Sequence, residues 1–175
     1  MSAAEEIVDL VDEDDRVVGH APRREVRTAN LLHREVAALV RNGQGLIYVH
    51  RRTDTKDVFP GLYDLFVAGV VASGESYEAA IRRELAEELG IAGVQPALLF
   101  KQRYRDRAVN WWACIYEVAW EGPVRPQAEE IAWGGFVSEA ALAAMMEERP
   151  FVPDGRVVFQ RYVTERASRC APLGR

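Results

Sequence analysis

The sequence has few of the features that mark membrane, secreted or metal-clustered proteins. No run approaches the roughly 18 apolar residues of a membrane-spanning helix. The N-terminal stretch MSAAEEIVDLVDEDD lacks a positive region followed by an apolar one, so no secretion signal is expected. Its 2 cysteines, Cys114 and Cys170, are far apart and in no metal-binding spacing, which predicts reduced thiols in a cytoplasmic protein.

Positive charge is also in short supply. The chain has 22 Lys and Arg against 27 Asp and Glu, a formal net charge of −5. Binding to a nucleic-acid polymer depends on clustered cations that neutralise phosphates, so no such partner is expected, while small phosphorylated substrates remain open. A hydrophobic content of 49% over 175 residues suits one soluble globular domain.

The stretch GVVASGESYEAAIRRELAEELGI, residues 69–91, contains the clearest local signals. Ser76 stands where a helix N-cap is expected, and Gly90 stands where a helix normally ends. These signals predict one helix from about Tyr77 to Leu89.

Three carboxylates of this predicted helix, Glu84, Glu87 and Glu88, fall at i, i+3 and i+4 and share one arc about 100° wide. Like charges at this spacing repel each other by roughly a few tenths of a kcal/mol. A hard divalent cation such as Mg²⁺ or Mn²⁺ would offset the repulsion, because it takes oxygen ligands and keeps waters or phosphates in its other positions. For the three residues taken alone, a solvated acidic face is the better explanation, because acidic helix faces are common.

The pattern of the whole stretch favours a metal site over a solvated acidic face. The stretch fits the pattern Gx5Ex7REUxEExGU, with U a large aliphatic residue, and a chance match has a probability on the order of 10⁻⁹ per starting position. The matching positions are Gly69, Glu75, Arg83, Glu84, Leu85, Glu87, Glu88, Gly90 and Ile91. The stretch resembles the signature of the Nudix hydrolases, enzymes that cleave diphosphates linked to another moiety.

The resemblance implies roles for these residues. The implied ligands of Mg²⁺ or Mn²⁺ are Glu84, Glu87, Glu88 and the carbonyl of Gly69. Arg83 would orient the glutamates by charge-assisted hydrogen bonds. Glu75 would tie the loop to the helix, although a solvated carboxylate favoured by the helix dipole fits that position too. The expected substrate is a small nucleoside-diphosphate-linked or related diphosphate.

Before the signature, the pattern predicts two hairpins. Two short apolar runs, Ile7–Val11 and 16–20, flank the acidic turn DEDD. In REVAALVRNGQGLIYVHRR, two strand-like runs flank the turn at 42–45. His33, which precedes the second hairpin, is typical of a hydrogen-bonded structural histidine. FPGLYDLFVAGVV then predicts a loop and a strand that brings Gly69 to the site.

Arg51 and Arg52 close the second hairpin shortly before the signature. Because guanidinium forks suit phosphate oxygens, we expect Arg51 or Arg52 to contact a substrate phosphate. A solvated strand end is an equally good interpretation of both. Glu129 and Glu130 lie in a late loop from which the family sometimes draws a further acid, either for the metal site or as a base, and the sequence does not separate these two residues.

After the helix, LLFKQRY and NWWACIYEVAW predict two more strands. Trp111 and Trp112 are adjacent, so one should face the core while the other stacks on a base or covers another element. SEAALAAMMEERP, which begins with the N-cap Ser138, predicts a helix, and RVVFQRYVTERA predicts another introduced by the residues at 153–155.

The expected fold class is α+β, the Nudix fold, with a mixed β-sheet sandwiched between helices and an N-terminal β-hairpin. We expect one domain over 1–175, with a hairpin extension at 1–30 and the Nudix hydrolase domain at 31–167.

Two other functions compete with hydrolysis. Residues 7–91 resemble a Nudix subgroup that includes the isopentenyl-diphosphate isomerases. Those enzymes use a cysteine and a histidine where this chain has Ala68 and Val70, and acids near the positions of Asn110 and Trp112. The isomerase is therefore disfavoured. A non-catalytic Nudix-like phosphate-binding domain usually has a broken glutamate set, whereas this set is intact.

Overall fold

The computed structural model describes residues 3–170, and over this range it has the predicted α+β architecture. The strands are β1 Ile7–Val11, β2 Val17–Pro22, β3 His33–Arg41, β4 Ile47–Arg52, β5 Tyr63–Asp64, β6 Phe66–Val70, β7 Ala97–Arg105, β8 Asn110–Ala119 and β9 Ile131–Val137. The helices are α1 Arg23–Thr28, α2 Tyr77–Leu89, α3 Glu139–Glu148 and α4 Pro153–Cys170. Within residues 3–170, no helix is both long and apolar enough to cross a bilayer.

β3 is the central strand of the mixed sheet. It pairs antiparallel with β6 on one side and parallel with β8 on the other. Because successive side chains of a strand point to opposite faces, β3 contributes to two cores. Val36 and Ala38 pack on the α2 side, while Leu39 packs on the side of α3 and α4. The sheet therefore lies between helices, as predicted.

Both predicted hairpins form. β1 and β2 pair antiparallel, and this hairpin joins the main sheet where Leu10 lies opposite His33. β3 and β4 meet at Arg41 and Ile47, where Asn42 Oδ1 accepts hydrogen bonds within the turn. Beyond that turn the two strands separate, because β4 pairs with β5 and β9 instead.

Two local features differ from expectation. α1 was not predicted, because it has 6 residues, no side-chain N-cap bond and one buried residue, Val26, too short a segment for an apolar period to show. α4 begins at Pro153, so the residues expected to precede that helix form its first turn, where proline is well tolerated.

Two side-chain expectations can be compared with the structure. Trp111 is buried, whereas Trp112 is half-buried with the Lys101 ammonium 5.2 Å from its ring centroid, so base stacking by Trp112 stays a prediction. Cys114 is a buried free thiol, and the side chain of Cys170 lies outside the described residues.

Candidate active site

The helix α2 is fixed at both ends and along its apolar side. The Ser76 hydroxyl accepts a hydrogen bond from the Ala79 amide at 3.1 Å, and Gly90 closes the helix with φ of 66°. Ile81 and Leu85 are fully buried against the sheet. These contacts set the rotation of the helix and thereby the direction of its glutamates.

The three glutamates line one cavity between α2 and β6, which we call the carboxylate cavity. Glu84 and Glu88 are each only 8% exposed, whereas Glu87 stands at the solvent-exposed rim. Gly69 lies one residue before the end of β6 and packs its backbone against the Glu84 carboxylate. The other side chains that line the cavity include Glu6, Arg23, Lys56, Arg83, Gln127 and Glu130.

Arg83 links the glutamates to the preceding loop. Its Nη1 donates hydrogen bonds to Glu84 at 2.6 Å and to Glu87 at 3.3 Å. Its Nε and Nη2 donate to both oxygens of Glu75 at 3.0 and 2.9 Å, and Nη2 also donates to the Val70 carbonyl. These contacts raise the pKa of Arg83, with the Glu75 hydrogen bonds as the largest cause. Arg83 therefore stays charged and holds Glu84 and Glu87 in position.

Glu75 ties the loop to the helix, as the resemblance implied. Besides its bonds to Arg83, it accepts a hydrogen bond from the Ala72 amide at 3.1 Å. Burial alone would raise the pKa of Glu75, but the hydrogen bonds from Arg83 and Ala72 outweigh it, and the net pKa is lowered. Glu75 is thus a structural carboxylate.

The carboxylate cavity disfavours negative charge in the absence of a compensating cation. Burial, with the charge of Glu84, raises the pKa of Glu88 to about 7, although Lys56 and Arg52 oppose the rise. Burial also raises the pKa of Glu84, against the opposing charge of Arg83. A cation bound here would stabilise the ionised carboxylates.

The donor set suits a hard cation that keeps some of its water. Within residues 3–170, no group of three His, Cys, Asp or Glu side chains is already arranged to hold a metal ion. Glu84 and Glu88 offer buried carboxylate oxygens, and Glu87 offers another at the rim. Mg²⁺ is usually bound by only one or two carboxylates, with waters and phosphates completing its octahedron, so these residues fit such an ion.

A second cavity adjoins the carboxylate cavity, and we call it the cleft. The two share Arg23, Lys56, Ala68 and Gly69 in their walls. Arg52 also lines the cleft, where its Nη2 donates to the Val58 carbonyl at 3.1 Å. The remaining polar lining is mixed in charge and consists of Arg27, Asn30, His33, Glu35, Asp64 and Asp154.

The two arginines that were expected near a phosphate are placed differently. Arg51 lines neither cavity and donates a hydrogen bond to Asp54 at 2.6 Å, while Arg52 faces the cleft. The sequence did not single out Lys56 or Arg23, the cations that line both cavities. The only sequence signal for Lys56 was its place in the polar loop TDTKDVFPG before the signature. Arg23 belongs to α1, which was not predicted.

The late-loop acids and His33 are also located. Glu130 lines the carboxylate cavity and forms an ion pair with Lys56, whereas Glu129 is exposed. Glu130 is therefore the better candidate for a further acid, and that role stays a prediction. His33 is buried and within 2.9 Å of the Leu31 carbonyl and 3.3 Å of Glu35, as expected of a hydrogen-bonded structural histidine.

Comparison with known proteins identifies the family. The NUDIX domain family model matches residues 31–162. An uncharacterized Nudix hydrolase of Streptomyces coelicolor, SCO1686, is 51% identical over 92% of this chain and 90% of its own. The uncharacterized Nudix hydrolase YfcD of Escherichia coli K12 is 36% identical over 87% of this chain and 83% of its own.

Solved structures share the fold. DR0079 from Deinococcus radiodurans superposes with a TM-score of 0.78 at 31% identity, over 89% of this chain and 98% of its own. The Nudix domain of Shewanella oneidensis NrtR, solved with ADP ribose, gives a TM-score of 0.58 at 15% identity, over 75% of this chain and 86% of its own. The chain belongs to the Nudix hydrolase family and is a pyrophosphohydrolase. The finer resemblance to the isomerase-containing subgroup stays a prediction.

Proposed function

We propose that this protein hydrolyses a phosphoanhydride bond in a small nucleoside-diphosphate-linked or related diphosphate, with Mg²⁺ or Mn²⁺ as cofactor. One observation carries the proposal. The complete glutamate set, Glu84, Glu87 and Glu88, faces a single cavity that opens onto a cleft lined by cations. The ADP ribose complex of the NrtR Nudix domain gives a precedent for this kind of ligand on the same fold.

Glu84, Glu87 and Glu88 would hold the metal, with the Gly69 carbonyl as a further oxygen donor. A divalent cation supplies charge stabilisation at phosphoryl oxygens. Arg83 keeps Glu84 and Glu87 oriented through the hydrogen bonds that it donates to them. The chain's own contribution is thus two buried carboxylates and one at the rim, of which the Arg83 guanidinium holds Glu84 and Glu87 in place.

The cationic side chains of the cleft would bind the phosphates. Lys56 and Arg23 line both cavities, so they can reach a diphosphate that lies across the boundary between them. Arg52 lines the cleft next to Lys56 and adds a guanidinium fork that matches phosphate geometry. Of the two arginines expected to contact phosphate, Arg52 has the support of this placement. Arg51 is paired with Asp54 instead.

A screen of phosphoanhydride compounds with Mg²⁺ and Mn²⁺, with product masses recorded, tests the proposal directly. Turnover in ¹⁸O-labelled water should place the label in a phosphate-containing product, because water attacks phosphorus. Isopentenyl diphosphate should give no dimethylallyl product, since Ala68 and Val70 provide neither an acid nor a base. Label in a carbon skeleton, or measurable isomerisation, would contradict hydrolysis at phosphorus.

A further inference from the structure

The helix α1 presents two arginines to the cleft. Arg23, Val26 and Arg27 lie on one face of α1, and all three line the cleft. Arg23 and Arg27 are thus one helical turn apart, at i and i+4. Like charges at this spacing repel each other. An anion that binds both guanidiniums would offset the repulsion, as a cation would on the acidic face of α2.

A third cavity adjoins the cleft beyond Arg27, and we call it the outer cavity. The walls that it shares with the cleft include Arg27, Val58, Phe59 and Ala108. The charged side chains that line the outer cavity are Arg24, Arg27, Arg107 and Asp57. Three cations therefore stand against one acid, and a cavity lined in this way attracts anions.

Arg27 has too little negative charge around it. Its side chain is 32% exposed and forms an ion pair with Asp57, whose side chain is 74% exposed. Burial and the charge of Arg23 lower the pKa of Arg27, and the opposing charges of Asp57 and Glu35 do not restore it. The surroundings of Arg27 thus disfavour its positive charge, and a further anion beside it would compensate that charge.

The other two arginines of the outer cavity lie at the surface. Arg24 forms an ion pair with Glu5, and more than half of each side chain is exposed. Arg107 is exposed in the loop 106–109 between β7 and β8, and no acid among residues 3–170 forms an ion pair with it. Arg107 can therefore turn towards an anion beside Arg27 without losing a partner.

The acids of the cleft limit where such an anion can lie. Glu35, Asp64 and Asp154 line the cleft but not the outer cavity. An anion is repelled by these three carboxylates, so its favourable position is the junction of the cleft and the outer cavity, beside Arg27. This junction is separate from the carboxylate cavity, whose walls do not include Arg27.

We propose that Arg27 and Arg107, with Arg24, form a subsite for a further phosphate group of the substrate, beyond the two phosphates that flank the scissile bond. This inference rests on the proposed phosphoanhydride hydrolysis. The two phosphates of the anhydride would lie by Arg23, Arg52 and Lys56. The further phosphate would be a monoester on the organic part or an extension of the phosphate chain. Guanidinium forks suit either, because they bind phosphate oxygens in pairs.

Matched compounds that differ in one phosphate provide the test, each assayed with Mg²⁺ and with Mn²⁺. NADPH with NADH and coenzyme A with dephospho-coenzyme A differ in a monoester, whereas ATP and ADP differ in the length of the phosphate chain. We expect kcat/KM to favour the more phosphorylated member of at least one pair by about tenfold or more. The pair that shows the preference identifies the source of the further phosphate.

Arg27→Gln should lower kcat/KM for the more phosphorylated member by about tenfold, mainly through KM, and leave its partner within about twofold. Arg107→Gln should reduce the same preference by about threefold or more, and because Arg107 is exposed it keeps the test decisive if Arg27→Gln does not fold. Arg16→Gln is the control, since it removes the same charge from an exposed arginine that is paired with Asp14. This control should keep the wild-type preference.

Asp57→Asn should act in the opposite direction. Asp57 competes with the phosphate for Arg27, so its neutralisation should raise the preference for the more phosphorylated member by about twofold or more. A purely structural role of the ion pair between Asp57 and Arg27 predicts no such gain. A preference that falls in Asp57→Asn would count against the subsite.

Equal turnover within every pair would overturn the subsite while leaving phosphoanhydride hydrolysis intact. So would a preference that survives in both Arg27→Gln and Arg107→Gln, or an equal loss for both members of a pair in Arg27→Gln. If the wild-type protein cleaves none of the compounds, that failure concerns the proposed hydrolysis, and calorimetric binding of the same pairs decides on the subsite. Binding of a more phosphorylated member that is tighter by about tenfold supports it, and equal binding overturns it.

Discussion

Gly69 and Glu84 lie so close together that a Cβ built on residue 69 would fall 2.0 Å from both Cδ and Oε1 of the Glu84 carboxylate. No side chain beyond a hydrogen fits at that position without moving the glutamate. The glycine of the signature therefore has a steric reason in addition to the carbonyl oxygen that it offers. β6 and α2 can approach each other only because residue 69 has no side chain.

The first prediction concerns this contact. Gly69→Ala should displace the Glu84 carboxylate, with a loss of Mn²⁺ affinity and a destabilisation of about 1–3 kcal/mol from overpacking. Gly19→Ala is the matched control, since its Cβ would meet only Leu10 Cδ1, at 3.8 Å. Urea denaturation and Mn²⁺ binding followed by electron paramagnetic resonance measure both effects. Wild-type Mn²⁺ affinity in Gly69→Ala would show that Glu84 does not depend on this space.

Glu87→Gln and Glu88→Gln should each reduce kcat by more than about a hundredfold, since loss of a metal ligand should cost more than the roughly 10- to 100-fold lost with an outer partner. The fold should persist, and in metal-free buffer the stability should hold or rise because repulsion on the helix is relieved. Glu78→Gln changes an exposed carboxylate of the same helix and serves as the control. Near-normal activity of Glu88→Gln at saturating substrate and metal would exclude α2 as the metal platform.

Arg83→Ala should weaken Mn²⁺ affinity by about tenfold or more, because it removes the hydrogen bonds that orient Glu84 and Glu87 but removes no ligand. Excess metal should therefore restore part of the activity. Arg82→Ala is the control, since Arg82 is the neighbouring residue and donates a hydrogen bond to Gln95 instead. An activity loss that no metal concentration reverses, in a folded protein, would argue against the orienting role.

His50 should make stability depend on pH. Burial, with the charges of Arg52 and Lys56, lowers the pKa of His50 from 6.5 to about 3. Because the pKa of His50 is lower in the folded protein, the unfolded chain binds the proton first as the pH falls. The stability that neutral His50 contributes to the fold is therefore complete above pH 6.5 and is lost as the pH falls towards 3. From pH 7 to pH 5, the free energy of unfolding in urea should fall more for the wild-type protein than for His50→Phe. If the free energy of unfolding changed equally with pH in the two proteins, His50 would have the same pKa in the folded and the unfolded chain.

The parts of the site that the sequence predicted are those set by local signals. α2 begins after Ser76 and ends at Gly90 because both caps depend on hydrogen bonds to backbone groups only a few residues away in the chain. The direction of Glu84 and Glu88 then follows from the helix period and from the burial of Leu85. None of these relationships requires knowledge of the rest of the fold.

The remaining parts depend on tertiary structure. Arg51 and Arg52 could not be separated from sequence, because neighbouring strand residues face opposite sides and the pairing of β4 with β9 shifts its register between them. Asp64 and Asp154 meet only because α4 packs beside the end of β5. No spacing in the sequence predicts such a meeting.

The parallel pairing of β3 with β8 also bears on the order in which the molecule assembles. His33 of β3 lies opposite Trp111 of β8. β3 therefore cannot complete its pairing until β8, which is synthesised much later, has left the ribosome. The glutamate-bearing helix lies between them in sequence and buries its apolar side against both strands. Because such distant pairings form late, we expect nascent chains that end before residue 110 to have the hairpins but no firmly docked α2. Metal affinity would then be one of the last properties that the growing chain acquires.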